Sequence, residues 1–414
     1  MKVLLMVVGT RGDLEPFLAI GEKLQQQGHE LIYCASAQLG PLVSDSEFIP
    51  LSPAFLVLLE GPQGRALMNG KLSFVAKAKA ALALAKVGMK VDKELSRQQF
   101  KALERVQPDW VICHPKCSAP LPWTENRGRK LTYVSPIPYY VHADERRPHT
   151  GINGNFGPLL NRLTYRLINF ALSWSIAGAA RGLYQPLRMT RKGIANALLK
   201  VQFEYAISPS LYPRNPQWPA NVQVVGYSSR GTSRDDSDSE LREFLARTPR
   251  VLLLTFGSMN SADPERMSRV LFECIEESGV PVVVNTAAGG LVPLEPYTNH
   301  DKFLFVGSAD YRGVLDQAVG IIHHGGSGKT HMGLRHGCPT LVVPHVFDQF
   351  TWGALVEELG AGPAPLAVNK LTKAKVRQRL KDLLENPQYQ ANAQGIAEAM
   401  RSELSSPSTT HSWP

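Results

Sequence analysis

The chain is poor in several things, and each shortage excludes something. Of its 414 residues only five are cysteines: Cys34, Cys113, Cys117, Cys274 and Cys338. An odd, scattered set supports no disulfide framework and fits a reducing compartment. Cys113, His114 and Cys117 stand near one another, but a structural zinc site needs four ligands and no second pair is spaced to complete one. No apolar run reaches the roughly 18 residues that span a bilayer. Leu167–Ala180 comes nearest, and Asn169 and Ser173 interrupt it. The opening run Val3–Val8 is too short for a secretory leader and leads into the charged turn Thr10-Arg11-Gly12-Asp13. The expected location is cytoplasmic, with peripheral contact at the inner membrane face as an option. Acidic residues are also in deficit, 36 against 45 basic ones, for a net charge of +9. Either a basic solvated surface or an anionic partner fits that balance. Nucleic acid is disfavoured, because the positive charge is spread over helices and not interleaved with stacking aromatics.

What is present is an ordinary globular composition, 43% hydrophobic and 20% charged, in a chain long enough for two domains. Strand and helix patterns alternate. Val3–Val8 reads as a buried parallel strand, and Leu14–Gln27 as a helix with Leu14, Phe17, Leu18, Gly21 and Leu24 on one face. Glu30–Cys34, Trp110–Cys113 and Leu131–Ser135 read as further strands. A second series begins at Val251–Phe256 and continues at Val280–Asn285, Phe303–Val306, Val319–Ile322 and Thr340–Val343. This is βαβ repetition, an α/β chain with two doubly wound, Rossmann-like domains. The expected division is 1–227, a polar linker over 228–246, 247–404, and a flexible tail over 405–414. The final helix is allowed to pack back on the first domain. Such domains bind ligands at the carboxyl ends of their strands, in a cleft where two of them face each other.

The most informative stretch is Ile321-Ile322-His323-His324-Gly325-Gly326-Ser327-Gly328-Lys329-Thr330. It predicts a strand ending in a histidine pair, a glycine turn, and a helix from Ser327 to about His336. Glycines let the backbone approach an anion, and a helix start offers unpaired N–H groups at its positive end. The expected ligand is a phosphate or diphosphate. The spacing is not that of a Walker A loop.

Two motifs, "GTRGDLEPFLAIGEKLQQQGHE" (Gly9–Glu30) and "HHGGSGKTHMGLRHGCPTLVVPHVFDQFTWGALVEELGAG" (His323–Gly362), resemble those of inverting nucleotide-sugar glycosyltransferases with the GT-B fold. The similarity is to bacterial and fungal sterol glucosyltransferases and to macrolide and glycopeptide antibiotic glycosyltransferases. It covers both domains and is weakest between about Pro41 and Lys200. The resemblance implies a nucleotide-sugar donor held by the C-terminal domain, with UDP-glucose expected. It implies an acceptor held by the N-terminal domain and displacement with inversion, with neither cofactor nor metal. His324 matches the histidine that touches the donor diphosphate, and Gly325, Gly326 and Gly328 match the loop glycines. Ser327 and Thr330 add hydroxyl donors. Lys329 departs from the small hydroxyl residue usual at its position, and either joins the diphosphate or faces solvent. Gly257 and Ser258 match a turn near the diphosphate, although Ser258 also reads as a helix cap. Asp348 and Gln349, 24 and 25 residues after His324, match the pair that binds the sugar hydroxyls; Asp348 also suits a helix N-cap.

Asp13 matches the acceptor-activating base proposed in antibiotic glycosyltransferases, and reads equally as a cap of the helix after it. Arg11 is a candidate for the donor phosphates. His142, Asp144 and His149 lie near the acceptor side, as partners of Asp13 or as loop residues. The tryptophan and ribose-binding glutamate of the plant branch are replaced by Gly313 and Met332, which leaves uridine against thymidine open near Tyr311 and Arg312. Lys71–Arg105 and Arg162–Lys192 read as basic amphipathic helices. They either line an acceptor pocket or lie on an anionic bilayer. The expected activity is hexosyl transfer to a hydroxyl of a hydrophobic acceptor such as a sterol, lipid or polycyclic natural product. The alternatives are a glycosyltransferase-like binding or activator protein without turnover, and a nucleotide-sugar epimerase.

Overall fold

The computed structural model describes residues 1–43, 46–60, 74–183, 189–228, 230, 239–257, 259, 261, 263–286, 290–307 and 311–405. Ser258, residues 229 and 231–238 of the expected linker, Lys71 and the tail beyond 405 lie outside them. The described residues form two compact units, one up to Arg230 and the other from Ser239.

The first unit carries seven parallel strands in the order β3-β2-β1-β4-β5-β6-β7. They are β1 (Lys2–Met6), β2 (Glu30–Ser36), β3 (Glu47–Leu51), β4 (Trp110–Cys113), β5 (Lys130–Ser135), β6 (Gln202–Tyr205) and β7 (Val222–Val224). Register runs Leu4 to Ile32 on one side of β1 and to Val111 on the other. The second unit carries β8 (Val251–Thr255), β9 (Val282–Asn285), β10 (Phe303–Val306), β11 (Ala318–His323) and β12 (Thr340–Val342), parallel in the order β10-β9-β8-β11-β12. These are two Rossmann-like sheets, as the apolar runs predict.

Continuous apolar strands arise because each sheet is covered on both faces. Successive side chains of a strand alternate in direction. Leu252, Leu254, Val282, Val284 and Ile322 enter one core of the second unit. Val251, Leu253, Val283 and Ile321 enter the other. Helix Pro264–Ser278 shows how local sequence sets the boundaries: the Asp263 side chain accepts from the Arg266 amide, Pro264 opens the first turn, and Gly279 closes the helix in a left-handed conformation.

Three strands lie outside the sequence expectation: β3, β6 and β7. Pro50 sits within β3, β6 alternates polar and aromatic residues, and β7 has three residues. The described end of the expected linker, Ser239–Arg247, is a helix, because Leu241 and Phe244 bury into the second unit's core. Helix Pro387–Ser405 bonds within the second unit: Gln390 donates to the Gly337 carbonyl and Asn392 to that of Gly360.

Each sheet has one point where strand order reverses. In the first it lies between β1 and β4, in the second between β8 and β11. The crevice at the carboxyl ends of such neighbouring strands is where open α/β sheets take their ligands.

Candidate functional site

At the first switch point, β1 delivers Gly9 to Asp13 and β4 delivers His114 to Lys116. Asp13 opens helix Arg11–Gln26 in a capping box with Thr10. The Thr10 amide donates to Asp13 Oδ2 at 2.7 Å and the Thr10 hydroxyl at 3.1 Å. Lys116 Nζ donates to Oδ1 at 3.2 Å. His114 Nδ1 accepts the Lys116 amide at 3.1 Å, so in the neutral ring Nε2 carries the proton. That nitrogen lies 3.3 Å from Asp13 Oδ1, off the line of a full hydrogen bond. Burial alone would raise the Asp13 carboxyl; Lys116, His114 and the Thr10 amide outweigh it and hold the group well below the usual carboxylate range. His114 is fully buried and held below its ordinary value, first by burial and then by Lys116, so it is neutral at pH 7.

Gly9 is required here: a Cβ on it would stand 2.2 Å from Asp13 Oδ2. Beside Gly9 lies a small recess of about 10 Å³, room for roughly one water, lined by Val8, Ser36, Leu51, Phe55, Leu56 and Leu95. Its walls are mostly apolar, and the buried Ser36 hydroxyl has no protein partner. Lys116 Nζ lies 5.5 Å from the Phe55 ring centre, joining this recess to the carboxylate. Arg11 points outward and pairs with Glu15 at 3.0 Å.

At the second switch point, β8 ends in the Gly257 turn and β11 in His323-His324. Gly257 adopts a positive φ of 57°, and a Cβ there would meet His324 Cε1 at 3.4 Å. His323 Nδ1 accepts the Gly325 amide at 2.8 Å, which fixes the start of the loop. Gly325 has φ 91°, and a Cβ on it would lie 2.7 Å from Val342 and 2.8 Å from the Gln349 carbonyl. Only glycine fits there. Gly326 packs so close to the His324 ring that a Cβ would lie 2.5 Å from Nε2. Gly326 caps helix Ser327–Arg335 without a side-chain bond, so the first turn, with Gly328, keeps its amides available.

Three imidazole nitrogens here are buried without a partner: His323 Nε2, His324 Nδ1 and His345 Nε2. His345 donates Nδ1–H to the Val343 carbonyl at 3.0 Å, so its Nε2 is an acceptor. His324 is driven well below its ordinary value, first by burial and then by His323, His345 and Lys329. At neutral pH it is an uncharged donor.

The neighbouring candidates fall out differently. Lys329 Nζ sits 4.0 Å over the Tyr311 ring, a cation–π contact that neither of its two expected readings named. The Thr330 hydroxyl donates to the Gly326 carbonyl at 3.0 Å inside the helix and is buried there, which removes it from the expected donor set. Ser327 is buried too, with Oγ 3.4 Å from His331 Nδ1. Gln349 accepts the His345 amide at 2.7 Å and the Val346 amide at 3.1 Å, leaving its NH₂ as the group for a ligand. Asp348 stands in the first turn of helix Asp348–Glu358, after Phe347 at the cap with φ 45°.

His142 and Asp144 are structural. His142 packs among Phe203, Tyr205 and Trp218, and its Nδ1 meets the Tyr205 hydroxyl at 3.2 Å. Asp144 is clamped bidentately by Arg146 at 2.9 and 2.7 Å. His149 Nδ1 accepts the Gly151 amide at 3.1 Å, and its ring lies 5.5 Å from that of Tyr140. His114 and Lys116 are what the sequence reading missed; weighed only as part of a metal set, His114 instead faces Asp13. Among the described residues no three His, Cys, Asp or Glu side chains converge as a metal set.

Burial holds His142, His149, His331 and His345 down to about 4. Unfolded, each takes a proton near pH 6.5, so between 6.5 and 4 the unfolded state binds more protons. Stability should therefore fall as pH drops through that window, by at most about 3 kcal/mol per histidine. Urea midpoints at pH 7, 5.5 and 4.5 check this; a flat profile contradicts it.

Comparison with known proteins bears on both sheets. Residues 3–138 match the glycosyltransferase family 28 N-terminal domain, and residues 305–411 match the erythromycin biosynthesis protein CIII-like C-terminal domain. The chain belongs to the GT-B glycosyltransferases. Among its relatives in that family, sterol 3-beta-glucosyltransferase UGT80A2 of Arabidopsis thaliana is 24% identical over 97% of this chain, which spans 63% of that protein's length. O-mycaminosyltylonolide 6-deoxyallosyltransferase of Streptomyces fradiae is 26% identical over 97% of the chain and 94% of its own. A sterol 3-beta-glucosyltransferase of Kluyveromyces lactis is covered over 33% of its length. In three dimensions the calicheamicin glycosyltransferase CalG4 superposes with a TM-score of 0.69 at 16% identity, over 97% of this chain and 94% of that one. The spinosyn rhamnosyltransferase SpnG, solved with thymidine diphosphate, has a TM-score of 0.63 at 17% identity, over 97% and 96% of the two chains. These likenesses show the GT-B fold.

Proposed function

We propose that this protein is an inverting, metal-independent glycosyltransferase. It moves a hexose, with UDP-glucose as the expected donor, to a hydroxyl of a hydrophobic acceptor such as a sterol, lipid or polycyclic natural product. The observation that carries the reading is the furnishing of the second switch point: a glycine loop and a helix start with available amides, beside buried imidazole nitrogens without partners. The loop amides and the His323 and His324 rings suit a leaving diphosphate, whose negative charge grows as the sugar departs; His345 Nε2, an acceptor, is not one of its donors. Residues 247–404 hold the donor and residues 1–227 the acceptor. His324, Gly325, Gly326, Ser327 and Gly328 bind the diphosphate with the Gly257-Ser258 turn, and Arg11 reaches the phosphates when Glu15 yields it. Asp348 and the Gln349 amide bind sugar hydroxyls.

Asp13 receives the acceptor proton. A hydroxyl is so weakly acidic that its proton leaves late, as the new glycosidic bond forms. What the step needs is a fixed negative charge aimed at that proton, and Asp13 is such a charge. Its depressed pKa makes it a weak base at rest, so the acceptor hydroxyl takes the place of Lys116 at Oδ1. The apolar side chains beside Gly9, among them Leu51, Phe55 and Leu56, line the acceptor's approach to Asp13. Relatives named for sterols and for macrolide intermediates support an apolar acceptor. Structures named with thymidine diphosphate keep that base as an alternative to uridine.

The test is a panel of nucleotide sugars by calorimetry in chelator, then mass spectrometry of lipid extracts incubated with the best donor. The expected result is UDP-glucose binding and a hexose mass increment on an apolar product. Conversion of the nucleotide sugar without acceptor would reassign the chain as an epimerase. Binding without product from any acceptor would make it a binding protein.

A further inference from the structure

Helix Pro158–Leu183 is apolar on its outward side as well as its buried one. The buried side carries Tyr165, Ile176, Ala177 and Ala180 with Asn161 and Ser173. Its outward side presents Leu159, Leu163, Leu167, Phe170 and Trp174, exposed by 81, 44, 60, 52 and 52%. Their spacing of four, four, three and four residues sets them in one stripe along the helix. An outward row of this length is too large to be scattered surface apolarity.

The charge around the stripe is one-sided. Between Glu145 and Glu204 the sequence has no acidic residue and nine arginines and lysines. Arg166 lies exposed on the stripe's own helix. Lys192 and Lys200 are exposed on the neighbouring helix Arg191–Lys200, and Leu199 beside them is 48% exposed. The Arg191 guanidinium lies 4.3 Å from the Phe170 ring centre, laid against the apolar face with its charge at the margin. Arg162 is neutralised by Glu145. On the other flank Asp92 accepts the Ser175 hydroxyl.

We propose that this face docks the protein on an anionic lipid bilayer, the stripe entering the acyl boundary and the basic rim meeting the headgroups. An apolar row with a cationic margin is what an interfacial helix uses. Among the described residues no helix is long and apolar enough to cross a membrane, so the contact is peripheral. A second copy of the chain is disfavoured as the occupant, because a two-fold pairing sets the same basic rim against itself. This docking holds whether or not the chain transfers sugar.

Flotation of the full chain with phosphatidylcholine vesicles, with and without phosphatidylglycerol, tests it. Trp174 reports insertion through the difference between wild type and Trp174→Phe: Trp110, Trp123, Trp218 and Trp352 are buried, and Trp413 lies outside the described residues. Expected are co-flotation with the anionic vesicles at low salt, weakening at high salt, and quenching of Trp174 by brominated lipid that Trp174→Phe removes. Leu163→Gln with Leu167→Gln should lower vesicle partitioning by at least roughly tenfold, and Arg166→Glu with Lys192→Glu by a similar factor. All four sites are on the surface, so circular dichroism and melting should match the wild type. Absence of flotation, or variants that float like the wild type, overturns the proposal. Dimers that the leucine pair dissolves, without lipid binding, also overturn it and assign the face to self-association.

Discussion

Asp13→Asn is expected to cut turnover by roughly 10²–10⁴-fold while leaving the nucleotide dissociation constant within about twofold. Asparagine keeps the size of the side chain and one oxygen to accept from Thr10, so the helix cap survives. What it loses is the charge that Lys116 and His114 face at 3.2 and 3.3 Å. The donor side is unaffected if Asp13 serves only the acceptor. Two further observations separate chemistry from scaffolding. Asp13→Ser is a good cap without a carboxylate, and should be as inactive as Asp13→Asn though folded. Because the carboxyl sits well below the usual range, the wild-type kcat/KM should show no ionisation from Asp13 between pH 5 and 8. If Asp13→Asn or Asp13→Ser keeps turnover, Asp13 is a cap and the base lies elsewhere. Gly9→Ala is a milder version of the same experiment, since its methyl would strike Oδ2.

His324→Ala should weaken nucleoside diphosphate binding by roughly 10–100-fold, the worth of one hydrogen bond to a charged group. Stability should rise or hold. The native ring buries a nitrogen without a partner, and removing it relieves that penalty; the depressed pKa adds to it only below about pH 6.5, where the unfolded ring takes a proton. That combination, affinity lost and stability kept, marks a residue retained for its ligand. Gly325→Ala would lose affinity and stability together, through its positive φ and the contact with Val342. Loss of stability in His324→Ala without loss of affinity would make the ring a packing element.

The sheets were legible because parallel strands buried on both faces are continuous apolar runs, as in Val-Leu-Leu-Leu-Thr of β8. Strands β3, β6 and β7 were not, since Pro50, polar alternation and a length of three residues erase that signal. The glycine loop after β11 was legible because its histidines, glycines and helix start are consecutive. The surroundings of Asp13 were not, because Lys116 lies 103 residues away. They meet only because β1 and β4 are neighbours. The signal available was positional: His114 and Lys116 follow β4 as directly as Gly9 follows β1, and the turn after each strand at a reversal of order is where ligands sit. The contacts of Lys329 and Thr330 were not legible, for a local reason. A motif gives the residue type, whereas the partners of a side chain, Tyr311 and the Gly326 carbonyl here, come from packing.

The most direct measurement is a calorimetric titration of UDP, dTDP and UMP into the wild-type protein and His324→Ala, all in chelator. A diphosphate seated on the loop after β11 predicts that UDP or dTDP binds at least roughly tenfold more tightly than UMP, and that His324→Ala abolishes this preference. Binding that appears only when a divalent cation is restored, or a preference that survives the loss of His324, would contradict it.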